Sequence, residues 1–93
     1  MVVAFVDIDG VLCTNTYGDY ENAAPIYKNI KKFNKKYDNG DTIILWTARG
    51  TTTGVDWKKI TEKQMDEWGV KYHELRFGKP QYDEIWDDKA RIP

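Results

Sequence analysis

An uninterrupted apolar run near the start of the chain places the strongest constraint on the fold. Residues 2–6 have the sequence VVAFV, rich in β-branched side chains, and the acidic residue Asp7 follows directly. A run without polar alternation is typical of a strand buried on both faces of a parallel sheet. Residues 42–46, with the sequence TIILW, form a second such run that ends at Thr47. We therefore predict two buried parallel strands, each followed at once by a polar residue.

Helical patterns separate the predicted strands. Pro25 suits the first residue of a helix, because the amide hydrogen that proline lacks has no helical partner there. The apolar residues that follow recur on one helical face: Ile26, Ile30, Phe33 and Tyr37. We expect a second helix between Asp56, as its N-cap, and Gly69, and a third strand over residues 70–75. A short element over residues 82–86 completes the pattern.

This alternation predicts an α/β fold. Strands that alternate with helices of about a dozen residues imply right-handed crossovers and a parallel sheet that helices cover on both sides. We therefore predict a Rossmann-like three-layer sandwich with a small, mostly parallel sheet. A chain of 93 residues can build one hydrophobic core, so we expect residues 1–93 to form a single domain.

Charge and cysteine content limit the classes of partner. Lys and Arg total 14 against 15 Asp and Glu, so we expect no net positive surface for nucleic acid or anionic lipid. Lysines do line the first predicted helix, and we favour a solvated face over a nucleic-acid site there. The single Cys13 excludes an internal disulfide, and residues 2–6 are too short for a signal or membrane segment. These features favour a cytoplasmic protein.

Polar residues cluster where the predicted strands end. The residues at these ends are Asp7, Asp9, Thr47, Arg49, Asp87 and Asp88. Parallel sheets bind their ligands beyond the carboxyl ends of the strands. We therefore expect these residues, although distant in sequence, to converge on one crevice.

Asp7 and Asp9 could divide the work of one reaction. One carboxylate can face a metal ion and a phosphate while the other reaches the leaving group. Gly10 strengthens this interpretation, because a residue without a side chain lets backbone amides approach an anion closely. Without Gly10, two acids in a surface turn would be the favoured interpretation.

Asp87 and Asp88 form a second pair of acids. Adjacent carboxylates repel each other unless a cation offsets their charge, and carboxylate oxygens with room for water suit Mg²⁺. The alternative interpretation is a pair of exposed acids near Lys89 and Arg91. The two interpretations are even for this pair by itself.

Four further residues are candidates for the site, and three of them, Thr47, Arg49 and His73, also have a structural interpretation. Lys79 could direct its ammonium group at a phosphate, and Thr47 could donate its hydroxyl to a phosphate oxygen or cap its own loop. Arg49 could grip a substrate phosphate or carboxylate, or pair with a nearby acid. His73 lies inside a predicted strand, where a structural role is favoured over a catalytic one.

Segments along the chain resemble the four motifs of haloacid dehalogenase superfamily phosphatases. Residues 7–12, with the sequence DIDGVL, resemble the first motif. The later motifs are resembled, in order, by LWT at 45–47, GKP at 78–80 and IWDD at 85–88. The resemblance covers residues 2–89. It implies a minimal core of that fold without a cap domain.

The resemblance also implies a phosphatase mechanism. Asp7 would attack phosphorus and form an aspartyl-phosphate, and Asp9 would protonate the departing oxygen and later deprotonate the attacking water. Thr47 and Lys79 would bind phosphate oxygens. Gly10, Ala48 and Arg49 are the expected substrate-binding residues.

A magnesium ion is the cofactor that the resemblance implies. A carboxylate oxygen of Asp7, the backbone carbonyl of Asp9 and the carboxylate of Asp88 would hold it. Asp87 would help directly or through a water molecule.

The nearest likeness within the superfamily is to small capless phosphatases of bacterial capsule and surface-polysaccharide biosynthesis. It is carried by WTARG at 46–50 and WGVKYHEL at 68–75, and it implies a small sugar phosphate as substrate. Without a cap, residues 10–24 or a neighbouring subunit would have to cover the site. The chain ends soon after Asp88, so we expect no final helix over one sheet face and, as a result, a homo-oligomer.

Three other functions remain as alternatives. The same residues would support a mutase or phosphotransferase if water were kept from the aspartyl-phosphate. A metal-binding regulatory module that retained the fold but lost turnover is the second alternative. A polynucleotide-end phosphatase is the third, and competition by DNA ends would distinguish it.

Overall fold

The computed structural model describes residues 2–51 and 53–79. Strand β1 (Val3–Val6) leads through a 3-10 turn to helix α1 (Tyr27–Asp38), and strand β2 (Thr42–Trp46) follows. Helix α2 (Lys58–Glu67) and strand β3 (Glu74–Arg76) complete the described elements. The strands form one parallel sheet in the order β1-β2-β3. The predicted α/β fold with a small parallel sheet is confirmed.

The register brings the carboxyl ends of the strands to one edge of the sheet. Val6 lies beside Leu45, and Leu45 lies beside Leu75 on its other side. The loops that follow β1, β2 and β3 therefore leave the sheet at nearly the same level. The predicted element at 82–86 and the acidic pair Asp87 and Asp88 lie outside the described residues.

Both helices pack on the same face of the sheet. Ile43 and Leu45 point to this face from β2, and Ile30 of α1 and Met65 of α2 join them in one buried cluster. A sheet whose strands advance in one direction, joined by right-handed crossovers, places successive helices on one side. We expected helices on both sides of the sheet. Within the described ranges, helices cover only one side.

The opposite face of the sheet carries exposed apolar side chains. Val3 and Phe5 are 61% and 51% exposed, and Phe5 packs edge-on against Trp46 with ring centroids 5.8 Å apart. This is the face for which the sequence predicts self-association, and that association stays a prediction. Separately, both helices of the described ranges fall short of the length and apolar character that a membrane crossing requires.

Two helices begin later than the sequence predicts. Pro25 does not start α1; it forms an isolated bridge with Cys13, and the next amide, Ile26 N–H, donates to Leu12 O at 2.8 Å. These contacts tie the segment to the loop after β1, so the helix starts at Tyr27. Asp56 also lies outside α2, where its Oδ1 accepts the N–H of Lys58 at 2.9 Å.

His73 has a structural role, as the sequence favoured. Its Nδ1 accepts the N–H of Ile43 at 3.1 Å, and its own N–H donates to Ile43 O at 2.8 Å. Its ring stacks on Tyr37 at 4.5 Å between centroids. Because the side chain of His73 takes the place of a strand neighbour, regular pairing starts only at Glu74, later than the predicted strand at 70–75.

Candidate functional site

A tight turn after β1 positions the first two acids. The carbonyl of Ile8 accepts three successive amides, those of Val11, Leu12 and Cys13, at 2.9 to 3.2 Å. Ile8 and Leu12 are fully buried, so they anchor the turn in the core. The turn thereby fixes the backbone on either side of Ile8, which carries Asp7 and Asp9.

Gly10 serves this turn through its backbone conformation. Its φ of +88° lies in the left-handed region that favours glycine. Its N–H donates to Cys13 O at 2.9 Å. Glycine therefore suits this turn, and the Gly10 amide is bonded within the protein. The close approach of an anion to the backbone at Gly10 stays a prediction.

Asp7 lies at the end of β1 with both carboxylate oxygens in contact. Oδ1 accepts the N–H of Ile8 at 3.0 Å, and Oδ2 lies 2.9 Å from Nζ of Lys79. The side chain of Asp7 is 39% exposed and that of Lys79 is 14% exposed. Asp7 therefore combines a fixed orientation, a cationic partner and access from solvent.

The loop after β3 is bonded to the loop after β2, and this brings Lys79 to Asp7. The N–H of Thr47 donates to Arg76 O at 2.9 Å, and the N–H of Lys79 donates to Thr47 O at 3.1 Å. Thr51 Oγ1 donates to the carbonyl of Lys79 at 3.0 Å. Parallel pairing thus continues past the strands and sets the position of Lys79.

Thr47 is fully buried between these loops. Its Oγ1 accepts the N–H of Arg49 at 3.1 Å, which is the loop-capping role considered as an alternative. A hydroxyl that accepts one bond can still donate its hydrogen to another oxygen. Ala48, between the two, accepts the N–H of Thr51 through its carbonyl at 3.0 Å.

Asp9 is held in a two-bond ion pair by Arg49, which lies 40 positions away. Nε of Arg49 donates to Oδ2 and Nη2 donates to Oδ1, both at 2.9 Å. The Arg49 side chain is 0% exposed and that of Asp9 is 16% exposed. Of the two roles considered for Arg49, the geometry supports pairing with a nearby acid.

The remaining donors of Arg49 are also bonded within the protein. Nη1 donates to Thr61 Oγ1 at 3.0 Å and to Gln64 Oε1 at 2.6 Å, and Nη2 donates to Cys13 Sγ at 3.7 Å. The guanidinium carbon lies 4.6 Å from the ring centroid of Tyr20. These contacts leave no guanidinium N–H for a substrate, which corrects the expectation that Arg49 binds substrate directly.

The partners of Arg49 on α2 were not predicted from the sequence. Thr61 and Gln64 are buried polar residues on the core-facing side of the helix, beside Met65. Polar side chains at the buried positions of a helical pattern need hydrogen-bond partners. The presence of Thr61 and Gln64 on the predicted buried face of this helix is the signal that could have indicated a buried polar network.

Cys13 belongs to the network as a neutral thiol. Burial, and secondarily the Asp9 carboxylate, raises the pKa of the Cys13 thiol from 9.0 to about 12. Its sulfur lies 3.6 Å from Ile8 O and 3.4 Å from Asp9 Oδ1, and the single S–H can donate to either oxygen. A thiol held in this form is a poor nucleophile.

Gly50 is a further residue that the site requires. Its φ is +79°, and a Cβ built on it would lie 2.2 Å from the carbonyl oxygen of Val55. The loop that carries Arg49 therefore depends on glycine at the next position for both conformation and space.

The structure brings together five of the predicted site residues: Asp7, Asp9, Thr47, Arg49 and Lys79. Asp87 and Asp88, the other expected metal ligands, lie outside the described residues. Among residues 2–51 and 53–79, no group of three acidic, histidine or cysteine side chains could hold a metal ion. Among the described residues, the Asp7 side chain is the more exposed of the two acids, and Arg49 bonds both oxygens of Asp9.

Comparison with solved structures finds a similar protein. The crystal structure of a target protein from Vibrio cholerae superposes with a TM-score of 0.85. The two chains are 26% identical, over 99% of this chain and 83% of the Vibrio cholerae chain. No protein-family model and no curated protein matches the chain. The likeness establishes the chain as a small α/β protein with a parallel sheet.

Proposed function

We propose that the chain is a Mg²⁺-dependent phosphomonoester hydrolase of the haloacid dehalogenase superfamily that acts through an aspartyl-phosphate on Asp7. The observation that carries the proposal is the pair of Asp7 and Lys79 at the carboxyl edge of the sheet, 2.9 Å apart and partly open to solvent. The order of the four motif-like segments adds to it. We further propose a cytoplasmic location.

Asp7 has the properties of a nucleophile for phosphoryl transfer. The Ile8 amide holds one carboxylate oxygen at 3.0 Å, so the side chain is oriented before substrate arrives. Lys79 lowers the repulsion between this carboxylate and an incoming phosphate. The same ammonium can bond a phosphate oxygen as negative charge spreads over the group in the transition state.

The first step forms phosphorylated Asp7. An oxygen of the Asp7 carboxylate bonds to phosphorus while the bond between phosphorus and the leaving oxygen breaks. Asp9 gives a proton to that leaving oxygen, and the product alcohol departs. Thr47, close to Lys79, donates its hydroxyl hydrogen to the phosphoryl group.

The second step restores the enzyme. Asp9, now a carboxylate, takes a proton from a water molecule, whose oxygen bonds to phosphorus. The bond between phosphorus and Asp7 breaks, which releases inorganic phosphate and regenerates the Asp7 carboxylate. Asp9 is protonated again and ready for the next substrate.

The donor set of the site fits Mg²⁺ as far as the described residues extend. Asp7 offers a partly exposed carboxylate, and Asp9 would contribute its backbone carbonyl, because its side chain is bonded to Arg49. Asp88, with Asp87 directly or through water, would complete the set. When bound, the ion neutralises phosphate charge and keeps the carboxylates ionised.

A small sugar phosphate is the substrate class that we propose. Residues 10–24, here named the cover segment, contain Tyr17, which is 92% exposed, and Tyr20, whose ring lies against the guanidinium group of Arg49. The segment is attached at Tyr20, whose carbonyl accepts Nε2 of Gln64 at 2.6 Å. An exposed aromatic ring on this segment suits an uncharged sugar ring, and the chain has no net positive charge to favour nucleic acid.

Phosphate release tests the proposed function. Wild type and Asp7→Asn are assayed with a panel of sugar phosphates and an aryl phosphate, with Mg²⁺ or with chelator. We expect release that requires both Mg²⁺ and Asp7. Asp38→Asn is the matched control, because Asp38 pairs with Lys71 on the surface at 2.8 Å and should retain full activity.

Two results would contradict the proposal. Equal release by wild type and Asp7→Asn would exclude Asp7 as the nucleophile. Absence of release from every substrate, with Mg²⁺ binding retained, would favour the phosphotransferase or the regulatory module instead.

A further inference from the structure

We infer that Arg49 is a positioning residue that fixes the plane and the orientation of the Asp9 carboxyl group. The inference rests on the proposed function, because it assigns a task to a neighbour of the proposed acid and base. It also extends that function, since no motif-like segment of the chain gives Arg49 this role.

The Asp9 carboxyl group is locked by geometry. Two parallel bonds of 2.9 Å from a planar guanidinium define both the position and the plane of a carboxylate. A single bond, such as a lysine would make, leaves rotation about that bond free. Arg49 therefore restricts the torsion that would otherwise swing Asp9 away from the substrate.

Arg49 is itself immobile within the fold. Thr61 and Gln64 of α2 hold Nη1 at 3.0 Å and 2.6 Å, and Tyr20 lies against the guanidinium face. The Arg49 side chain has no exposed surface. A positioning residue must itself be held in place by the fold, because any motion of Arg49 would also move the Asp9 carboxyl group.

Counting acceptor positions shows that the pair with Arg49 leaves room for a proton on Asp9. A carboxylate offers about four acceptor positions. Among the described residues, Arg49 uses one position on each oxygen, through Nη2 at Oδ1 and Nε at Oδ2. The pair with Arg49 therefore does not by itself block the transfer of a proton between Asp9 and the substrate.

The same count excludes Arg49 as a direct substrate ligand in this arrangement. A guanidinium has five N–H donors, and Asp9, Thr61, Gln64 and Cys13 receive all of them. Arg49 acts on the reaction only through Asp9. Replacement of Arg49 should therefore have the same kinetic effect as replacement of Asp9, and it should not weaken substrate binding.

The dependence of kcat/KM on the leaving group of the substrate tests this role of Arg49. An alkyl phosphate needs protonation of its leaving oxygen, whereas an activated aryl phosphate releases a stable phenolate without it. The value of kcat/KM reports the steps through phosphorylation of Asp7, so it isolates leaving-group protonation. For Arg49→Gln we expect kcat/KM to fall roughly 10²-fold with a primary alkyl phosphate and less than about tenfold with the aryl phosphate.

A double-substitution cycle and a matched control sharpen the test. Arg49→Gln added to Asp9→Asn should cause no further loss with the alkyl phosphate, because both act through one carboxyl group. Arg76→Gln is the control, since Arg76 makes a similar pair with Glu74 at an exposed position. It should leave both substrates unaffected.

Thr61→Val provides a second variant, because loss of a buried arginine can impair folding. It retains Arg49 and Asp9 but removes one support from Nη1, so we expect a smaller loss that is again selective for the alkyl phosphate. Thermal unfolding of each variant establishes whether it is folded. If Arg49→Gln does not fold, the selectivity of Thr61→Val decides the question.

The outcomes separate the inference from the proposed function. Equal loss with both phosphates in a folded variant would overturn the positioning role and leave the phosphatase proposal standing. A wild-type protein that releases phosphate from neither compound would overturn the phosphatase proposal and the inference together.

Discussion

The ammonium group of Lys79 lies 2.9 Å from Oδ2 of Asp7, although 72 positions separate the two residues in the sequence. Asp7 directly follows strand β1, and the loop after β3 carries Lys79. A hydrogen bond from the Lys79 N–H to Thr47 O joins the loop after β2 to this arrangement. The pair is thus a product of the parallel sheet, which delivers distant residues to one edge.

Replacement of Lys79 by Gln should reduce phosphate release far more than it reduces stability. The variant keeps hydrogen-bonding capacity but removes the charge that faces Asp7 and the phosphoryl group. We expect kcat to fall about 10²- to 10³-fold. Steady-state kinetics with the aryl phosphate measures this, and Lys71→Gln, at the surface pair with Asp38, serves as the control. Unchanged kcat in Lys79→Gln would contradict the assignment.

Gly50→Ala should destabilise the fold strongly. The new Cβ would meet the Val55 carbonyl at 2.2 Å, and φ at this position is +79°. We expect a loss of about 2 to 5 kcal/mol from backbone strain and overpacking together. Gly54→Ala is the matched control for Gly50→Ala, since Gly54 has a similar φ of +74° but open space around it. It should lose about 1 to 2 kcal/mol by strain alone. Equal losses in chemical denaturation would refute the steric argument.

Substitutions of His73 should separate its two structural contacts. His73→Phe keeps a ring against Tyr37 but leaves the buried Ile43 amide without its acceptor, which costs roughly 1 to 3 kcal/mol. His73→Asn loses the ring but can present an oxygen to that amide, so its cost should be about 0.5 to 1.5 kcal/mol. Urea unfolding of both variants is the measurement. A greater cost for Asn than for Phe would assign the main contribution to stacking.

Cys13 should be unreactive in the folded protein and should make stability depend on alkaline pH. Burial raises the pKa of the thiol from 9.0 to about 12. The unfolded state then loses the proton first, so the stability linked to the neutral thiol is complete below pH 9.0 and declines as the pH rises toward about 12.

Two measurements check the Cys13 prediction. A thiol-exchange reagent at mildly alkaline pH should label the protein only after unfolding in guanidinium. The difference in unfolding free energy between wild type and Cys13→Ala should shrink across the alkaline window. Rapid labelling of the native protein would show that Cys13 is not enclosed in the network.

Much of the fold could be predicted because it depends on local pattern. The runs before Asp7 and Thr47 are continuous and apolar, which few structures other than buried parallel strands accommodate. Once the strands are parallel, the meeting of Asp7, Thr47 and Lys79 follows from strand polarity. The predicted helix starts were less accurate. Pro25 forms a bridge with Cys13, and no local sequence pattern reveals that contact.

The pairing of Arg49 could not be decided from the sequence. A loop arginine can face solvent or an acid with equal chemical plausibility, and the outcome depends on how α2 packs. Only the folded arrangement places Thr61 and Gln64 beneath the guanidinium and turns it toward Asp9. The role of His73 as an acceptor for Ile43 likewise depends on tertiary register.

The central claim is that Asp7 becomes covalently phosphorylated during turnover. The direct measurement is mass spectrometry of peptides from protein that is quenched in acid during turnover with substrate and Mg²⁺. We predict a phosphoryl group on the peptide that contains Asp7, removable by hydroxylamine and absent from Asp7→Asn. Phosphate release at full rate without any phosphorylated Asp7, in a sample quenched within a single turnover, would contradict the account.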